Sequence, residues 1–140
     1  IVRAYNPRGK QCGAFTVNHA GWYGTMSVYR DDPETDGDEG MRTGETVAFT
    51  INDRPAARLG PDEADWTVNG DLKEVDLCVL PGDFGGDGVV GIGDIQTAAS
   101  RWRQTGADPD WSPAFDLDDD GMITVVDLMV VAALWGSTCP

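Results

Sequence analysis

Residues 1–80 alternate apolar and polar positions in short segments that are rich in β-branched and aromatic residues. This two-residue period is typical of strands with one buried face. Glycine, proline, aspartate and asparagine cluster between the segments and predict turns. The predicted strands are IVRAY, CGAFTV, TMSVYR, ETVAFTIN, DWTV and LKEVDLCVL, and the predicted turns include NPRGK, NHAGWYG, DDPETDGDEG and NDRP. Six or seven short strands at this spacing predict a β-sandwich of immunoglobulin-like size.

The pattern changes at LPGD, residues 80–83, which marks a domain boundary. Two apolar segments beyond it, IQTAASRW and LMVVAALWG, lack the two-residue alternation and favour short helices. The chain is therefore predicted to be mainly β with a small α part, as a β-sandwich over 1–80 followed by a two-helix domain over 81–140. Each helix is expected to bury one face. The residues expected in this core are Ile95, Ala98, Ala99, Trp102, Leu128, Val131, Ala132 and Trp135.

The second region contains an internal repeat with an offset of 33 residues. Each unit reads D-x-x-x-D-G-x-[VI]-x-x-x-D before its helix, which is the spacing of an EF-hand calcium loop. We term residues 83–94 loop 1 and residues 116–127 loop 2. The matched pairs are Asp83/Asp116, Asp87/Asp120, Gly88/Gly121, Val90/Ile123, Asp94/Asp127, Ile95/Leu128, Ala99/Ala132 and Trp102/Trp135.

Loop 2 offers the oxygen ligands that Ca²⁺ prefers, at six to eight per ion. Gly121 permits the positive-φ turn that lets the chain wrap an ion, and Thr124 is expected to coordinate directly or through water. Ile123 is expected to turn inward and form a short β contact with the facing loop. The predicted ligands, in chain order, are Asp116, Asp118, Asp120, the backbone carbonyl of Met122, Thr124 and Asp127.

Loop 1 lacks two of these side chains, because Gly85 and Gly91 occupy the third and ninth positions. Water must fill these places, so loop 1 is predicted to bind its ion more weakly than loop 2 does. Ordinary Asp/Gly turns are the alternative, but two loops in register, each followed by a helix, favour two calcium ions. The predicted ligands of loop 1 are Asp83, Asp87, the backbone carbonyl of Val89 and Asp94.

A duplicated calcium loop followed by a helix, with no helix before either loop, resembles the dockerin module over about residues 82–136. The resemblance implies two calcium ions, two antiparallel helices and an extracellular protein of a bacterium or archaeon. Dockerins normally bind cohesins, usually through polar residues at loop positions 10 and 11, and here those residues are Ile92, Gly93, Val125 and Val126. The endings SRW and ALWG of the two apolar segments look more like those of dockerin-like modules at the ends of large surface proteins, which often follow sandwich domains.

Three cysteines permit at most one internal disulfide. The two-helix modules that the chain resembles bring their ends together, which favours a Cys78–Cys139 bridge. Cys12 is then unpaired or bridges to another chain, and a Cys12–Cys78 bridge across the sandwich is the alternative. No CxxC pair is present, so a zinc site is not expected.

The formal net charge is −14, and residues 81–140 hold 10 acids and 2 bases. Such a surface repels phosphate backbones and attracts divalent cations, so nucleic acid is not expected as a partner. No apolar run reaches the roughly 20 residues of a membrane span, so membrane insertion is not expected. Scarce lysine, abundant aspartate and glycine, and few cysteines indicate an extracellular or cell-surface location.

Two further clusters each have two interpretations. The acidic segment YRDDPETDGDEG is either a third calcium site or a solvated loop. Aromatic residues beside turns either stack on sugars or cap the core. The acids are Asp31, Asp32, Asp36, Asp38 and Glu39, and the aromatics are Trp22, Tyr23, Trp66 and Trp111.

Catalysis has little support in the sequence, so the protein is expected not to be an enzyme. His19 is the only histidine, and no serine lies in a nucleophile motif. The favoured function is an extracellular calcium-binding structural or assembly module, such as a subunit of a homopolymeric fibre or surface scaffold linked by β-strand addition. Its partner would be a second copy or another extracellular protein. A dockerin that tethers to a cohesin and a carbohydrate-binding module of a larger secreted protein are the alternatives.

Overall fold

The computed structural model describes all 140 residues and divides into two compact units. We term Ile1–Leu77 the sheet unit and Cys78–Pro140 the helical unit. The division falls slightly ahead of the boundary predicted at residue 80. None of the helices has the length and apolarity that a bilayer crossing requires.

The fold is mainly β, and its sheet contains five strands. In chain order these are β1 (Val2–Tyr5), β2 (Gln11–Phe15), β3 (Ala48–Ile51), β4 (Arg54–Pro61) and β5 (Val75–Cys78). Their order across the sheet is β2-β1-β3-β4-β5. The pairs β1–β2, β1–β3 and β3–β4 are antiparallel. The strands form one sheet, where the sequence pattern predicts the two facing sheets of a sandwich.

The β3–β4 hairpin explains one difference from the predicted strands. Its turn residues, Asn52 and Asp53, have φ of +50° and +66°, and two positive φ values in a two-residue connection are typical of a type I′ hairpin turn. This turn folds residues 54–61 back onto β3, although their sequence has no clear alternation. Two predicted strands, TMSVYR and DWTV, form only isolated bridges, Arg30 with Met41 and Asp65 with Thr46.

The helical unit contains α1 (Ile92–Ser100) and α2 (Val125–Ala133), which are offset by the same 33 residues as the loops. The rings of Phe84 and Phe115, one from each repeat, pack with their centroids 4.4 Å apart. The core of the helical unit therefore contains side chains from the loops as well as from the two helices. The buried core residues are Phe84, Val90, Ala98, Ala114, Phe115, Ile123 and Val131.

The predicted helical core is confirmed in part. Ala98 and Val131 are buried, and Ile95 and Leu128 pack against the core. The two tryptophans lie beyond the helix ends and are about half exposed, and the two outer alanines are exposed. The tryptophans are exposed because each helix ends before its tryptophan, and the two alanines lie on the outer faces of their helices. The wrongly predicted core residues are Ala99, Ala132, Trp102 and Trp135.

The helical unit is closed by a disulfide between Cys78 and Cys139, with a Cα–Cα distance of 6.2 Å. This confirms the favoured pairing and excludes the Cys12–Cys78 alternative. Cys12 is a buried free thiol.

Candidate metal centre

The aspartate at position 12 of each loop is buried and ties the loop entrance to the start of the following helix. In loop 2, Asp127 is fully buried and accepts hydrogen bonds from the backbone N–H groups of Leu117 and Thr124, each at 2.7 Å. In loop 1, Asp94 accepts the equivalent pair, each at 2.8 Å. Position 12 therefore has a structural role in both loops in addition to its predicted place in a coordination shell.

The aspartate at position 1 is held by the turn that follows it. Asp116 accepts hydrogen bonds from the N–H groups of Asp120, at 3.1 Å, and Gly121, at 2.8 Å. Gly121 has φ of +87°, and its counterpart Gly88 has φ of +86°. Gly88 donates to Asp83 at 2.8 Å in the same way. The glycine at position 6 thus lets the chain curl around the first carboxylate in both loops.

Four buried carboxylates of the helical unit have no positively charged partner. Every ion pair of the chain lies in the sheet unit. The only basic residues of the helical unit are Arg101 and Arg103, and Arg101 packs over a phenylalanine ring and donates to a carbonyl. Buried charges in proteins are normally paired or bound to a metal. Backbone N–H groups offset part of the cost here, and a divalent cation would supply the missing charge. These carboxylates belong to Asp83, Asp94, Asp116 and Asp127.

Loop 2 brings three carboxylates together. Oxygen atoms of Asp116, Asp118 and Asp120 all lie within 4.8 Å of one another. Desolvation raises the pKa of Asp118, against the opposing hydrogen bond from the Asp120 N–H, and the negative charges of Asp120, Asp127 and Asp116 raise it further. Crowded carboxylates of this kind match the oxygen-rich set that Ca²⁺ prefers.

The backbone carbonyls at position 7 are free to act as ligands. Neither Val89 nor Met122 uses its carbonyl in a backbone hydrogen bond. Their N–H groups donate to the aspartates at position 5, Asp87 at 3.0 Å and Asp120 at 2.8 Å. The loop therefore presents the side chain of position 5 and the carbonyl of position 7 from adjacent points on the chain.

The two loops differ in the residue at position 9. Thr124 caps α2, because its hydroxyl oxygen accepts a hydrogen bond from the N–H of Val126 at 3.1 Å. Gly91 occupies the same place before α1 and has no side chain to cap with. The Thr124 hydroxyl therefore has a capping role beside its predicted role as a ligand.

Gly85, at position 3 of loop 1, leaves room for a side chain. A Cβ atom built there would lie 3.7 Å from Asp94 Oδ1 and 3.9 Å from Asp83 Oδ1, both ordinary van der Waals distances. A carboxylate at residue 85 would therefore stand beside the two buried aspartates, as Asp118 does in loop 2.

The prediction that Ile123 pairs with the facing loop is wrong. Ile123 exchanges backbone hydrogen bonds with the segment after α1, donating to Gln104 at 3.0 Å and accepting from Arg103 at 2.8 Å. Val90 does the same with the segment after α2, donating to Ser137 at 2.9 Å and accepting from Gly136 at 2.9 Å. The post-helix segments were missed by sequence reasoning, although the 33-residue offset continues through them.

The acidic segment of residues 31–39 is bound to arginines. Asp31 accepts a hydrogen bond from Arg42 at 2.7 Å, and Asp38 accepts one from Arg8 at 2.9 Å. The hydrogen bond from Arg8 lowers the pKa of Asp38 to about 2. No three carboxylates of this segment converge as those of loop 2 do, which favours the interpretation as a loop held by ion pairs.

The four turn aromatics differ in exposure. Trp66 is buried, Tyr23 donates from its hydroxyl to the carbonyl of Val75 at 2.6 Å, and Trp111 packs against the helical core. Trp22 is 71% exposed. Three of the four thus have packing roles in their own units.

Comparison with known proteins gives limited similarity. No family model matches the chain, and no curated protein matches it. Two solved structures are similar, an N-terminal and a C-terminal interface mutant of the type II Cohesin-X-Dockerin complex from Acetivibrio cellulolyticus. The first is 23% identical with a TM-score of 0.38, over 72% of this chain and 68% of that chain. The second is 22% identical with a TM-score of 0.39, over 90% of this chain and 83% of that chain. At TM-scores this low two chains need not share a fold.

Proposed function

We propose that the helical unit binds two calcium ions, one in each loop, and is the calcium-dependent module of a non-enzymatic extracellular assembly protein. The observation that carries the proposal is the set of buried aspartates at positions 1 and 12 of two loops that share one hydrogen-bond pattern. These carboxylates have no basic partner, and a calcium ion in each loop would neutralise them. Ion binding would then stabilise the folded unit directly, because the unfolded chain has no preformed site.

The two loops are expected to fill in a fixed order. Loop 2 has three converging carboxylates and a hydroxyl at position 9, whereas loop 1 has glycine at positions 3 and 9. Calcium affinity in such loops rises with the number of charged ligands. Loop 2 should therefore bind first, and loop 1 should lose its ion first.

A role in attachment to a partner protein is supported by the outer face of α2. Val125, Val126 and Met129 are 53%, 44% and 64% exposed, and the only charged residue of the helix, Asp127, is buried in the loop. An exposed apolar face on a small module is typical of an interaction surface. The assembly would be a surface scaffold or fibre, and a cohesin-type partner at this face is the second candidate.

Isothermal titration with calcium and thermal unfolding followed at 222 nm test the proposal. We expect two binding events of different affinity, and a higher melting temperature in calcium than in excess EGTA. The Asp119→Gly variant is the matched control, because it removes an exposed loop charge outside the predicted ligand set. An identical melt of the helical signal in calcium and in EGTA would refute the proposal. Capture of cohesins by wild-type protein but not by Met129→Asp would support the second candidate.

A further inference from the structure

Residues 25–28 of the sheet unit have the side-chain pattern of a strand but no strand partner. The segment runs without a turn or bend, and Met26 and Val28 are half-buried while Thr25 and Ser27 are exposed. Their backbone groups make no hydrogen bond within the chain, and the next bond along is from Tyr29 N–H to the carbonyl of Cys12 at 2.9 Å. The Ser27 carbonyl lies against β2, since a Cβ atom built at Gly13 would be 2.5 Å from its oxygen. The unpaired donors and acceptors of Met26 and Val28 form an open edge.

A groove of about 490 Å³ runs beside this segment, within the sheet unit. Residues 25–28 and residues 67–73 both line it, and its buried lining residues, which we term the floor, are apolar. The volume falls within the usual range for binding sites in proteins. The floor residues are Val47, Phe49, Ala64, Trp66 and Val75.

The rim of the groove is apolar and open. Leu72 is 80% exposed and Val68 is 63% exposed, and both line the groove. Apolar side chains this exposed at the mouth of an apolar groove gain free energy when a partner covers them. The occupant is therefore expected to contact Leu72 and Val68 as well as the floor.

The charges in and beside the groove indicate which kind of partner could bind there. The only charged residues that line the groove are Asp71 and Lys73, which pair with each other at 3.5 Å. The groove is thus neutral in a chain of net charge −14, while the exposed acids Glu74 and Asp76 flank its lining residue Val75 in the chain. An occupant that is uncharged inside the groove and basic where it leaves the groove near Glu74 and Asp76 complements this arrangement. A second copy of this chain is disfavoured, because two chains of charge −14 repel each other.

We propose that the groove accepts a β-strand from a different protein, with apolar residues at alternate positions and a lysine or arginine just beyond the groove. The strand would pair with the backbone of residues 25–28 and place every second side chain on the apolar floor. A small apolar molecule would leave the free backbone groups unused. This inference rests on the assembly role proposed above and supplies the chemistry of its partner, while calcium binding by the helical unit is independent of it.

Amide hydrogen exchange of the full chain tests the proposal. The probe is a short acetylated peptide that alternates valine and threonine and ends in lysine. Without peptide the amides of residues 25–28 should exchange rapidly, and saturating peptide should slow alternate amides at least tenfold. Leu72→Ser should weaken peptide binding several-fold. Leu59→Ser is the matched control, because Leu59 is exposed but lies outside the groove.

Three outcomes would overturn the proposal. They are peptide binding without slower exchange at residues 25–28, equal binding of a peptide whose alternate amides are N-methylated, and self-association of the protein alone that protects these amides. Exchange is measured in calcium and in EGTA. If the peptide does not bind while the calcium response is normal, the groove proposal is overturned and the calcium proposal stands. If the peptide binds but calcium has no effect, the calcium proposal is overturned and the groove proposal stands.

Discussion

Asp127→Ala is the substitution that best separates the structural role of loop 2 from its metal-binding role. The Asp127 side chain is fully buried, and its two oxygens accept hydrogen bonds from the N–H groups of Leu117 and Thr124. Alanine leaves both donors without a partner. A buried donor that loses its partner costs roughly 1–3 kcal/mol, and removal of a buried carboxylate without a basic partner offsets part of that cost. The free energy of unfolding in excess EGTA should therefore fall, by less than the roughly 6 kcal/mol that two fully buried donors would cost.

In calcium the same substitution should cost more, because a predicted ligand is lost as well. An ion present at about 100 times its dissociation constant stabilises the folded state by about 2.7 kcal/mol. The loss of unfolding free energy should therefore be greater in calcium than in EGTA by roughly that amount, if loop 2 no longer binds.

The assay is urea unfolding followed by circular dichroism at 222 nm, with both variants measured in calcium and in EGTA. Both helices lie in the helical unit, so this signal reports on it. Asp119→Gly is the control, since it removes the same charge from an exposed position with φ of +57°. Equal losses for Asp127→Ala in calcium and in EGTA would refute the ligand role, and no loss in EGTA would refute the hydrogen-bond role.

Three further outcomes are expected. Gly85→Asp should tighten calcium binding at loop 1 by about tenfold, whereas Gly106→Asp, which adds the same charge outside both loops, should not; titration calorimetry distinguishes them. Arg8 holds the pKa of Asp38 at about 2, against 3.8 in the unfolded chain. The pair therefore stabilises the sheet unit fully above about pH 4, and this contribution disappears as the pH falls toward 2. Asp38→Asn should flatten that part of an acid unfolding curve, and an unchanged curve would contradict the pairing. Arg103 has φ of +66° and no side-chain hydrogen bond or ion pair. Arg103→Gly should therefore raise the free energy of unfolding, measured in urea, by up to about 1 kcal/mol. A lower free energy of unfolding would show that the Arg103 side chain stabilises the fold by more than the strain of its backbone costs.

Features set by neighbouring residues could be predicted from the sequence. The loop turns at Gly88 and Gly121, and the helices that follow the loops, depend on a few adjacent residues whose conformational preferences are strong. The Cys78–Cys139 bridge was also predictable, because it needs only that the unit's two ends meet. Each of these features recurs at the same offset or joins the ends of one unit.

Features that depend on distant pairing could not be predicted. Met26 and Val28 alternate with polar residues as a strand should, yet no other part of the chain pairs with their backbone. Trp102 and Trp135 have helical spacing, but the helices end before them. A period indicates which face of a segment is buried, and it does not indicate which segment lies beside it. The predicted pairing partner of Ile123 was wrong for the same reason.

The crossed hydrogen bonds of Val90 and Ile123 mean that neither repeat of the helical unit is complete alone. Each loop receives its pairing segment from the other repeat, through equivalent bonds at equivalent positions. Two separate copies of a single repeat could exchange the same bonds across a twofold axis, as an isologous interface requires. The helical unit is in this sense a covalently joined symmetric dimer, and a peptide that spans one repeat should be unfolded as a monomer and gain helix only on dimerising.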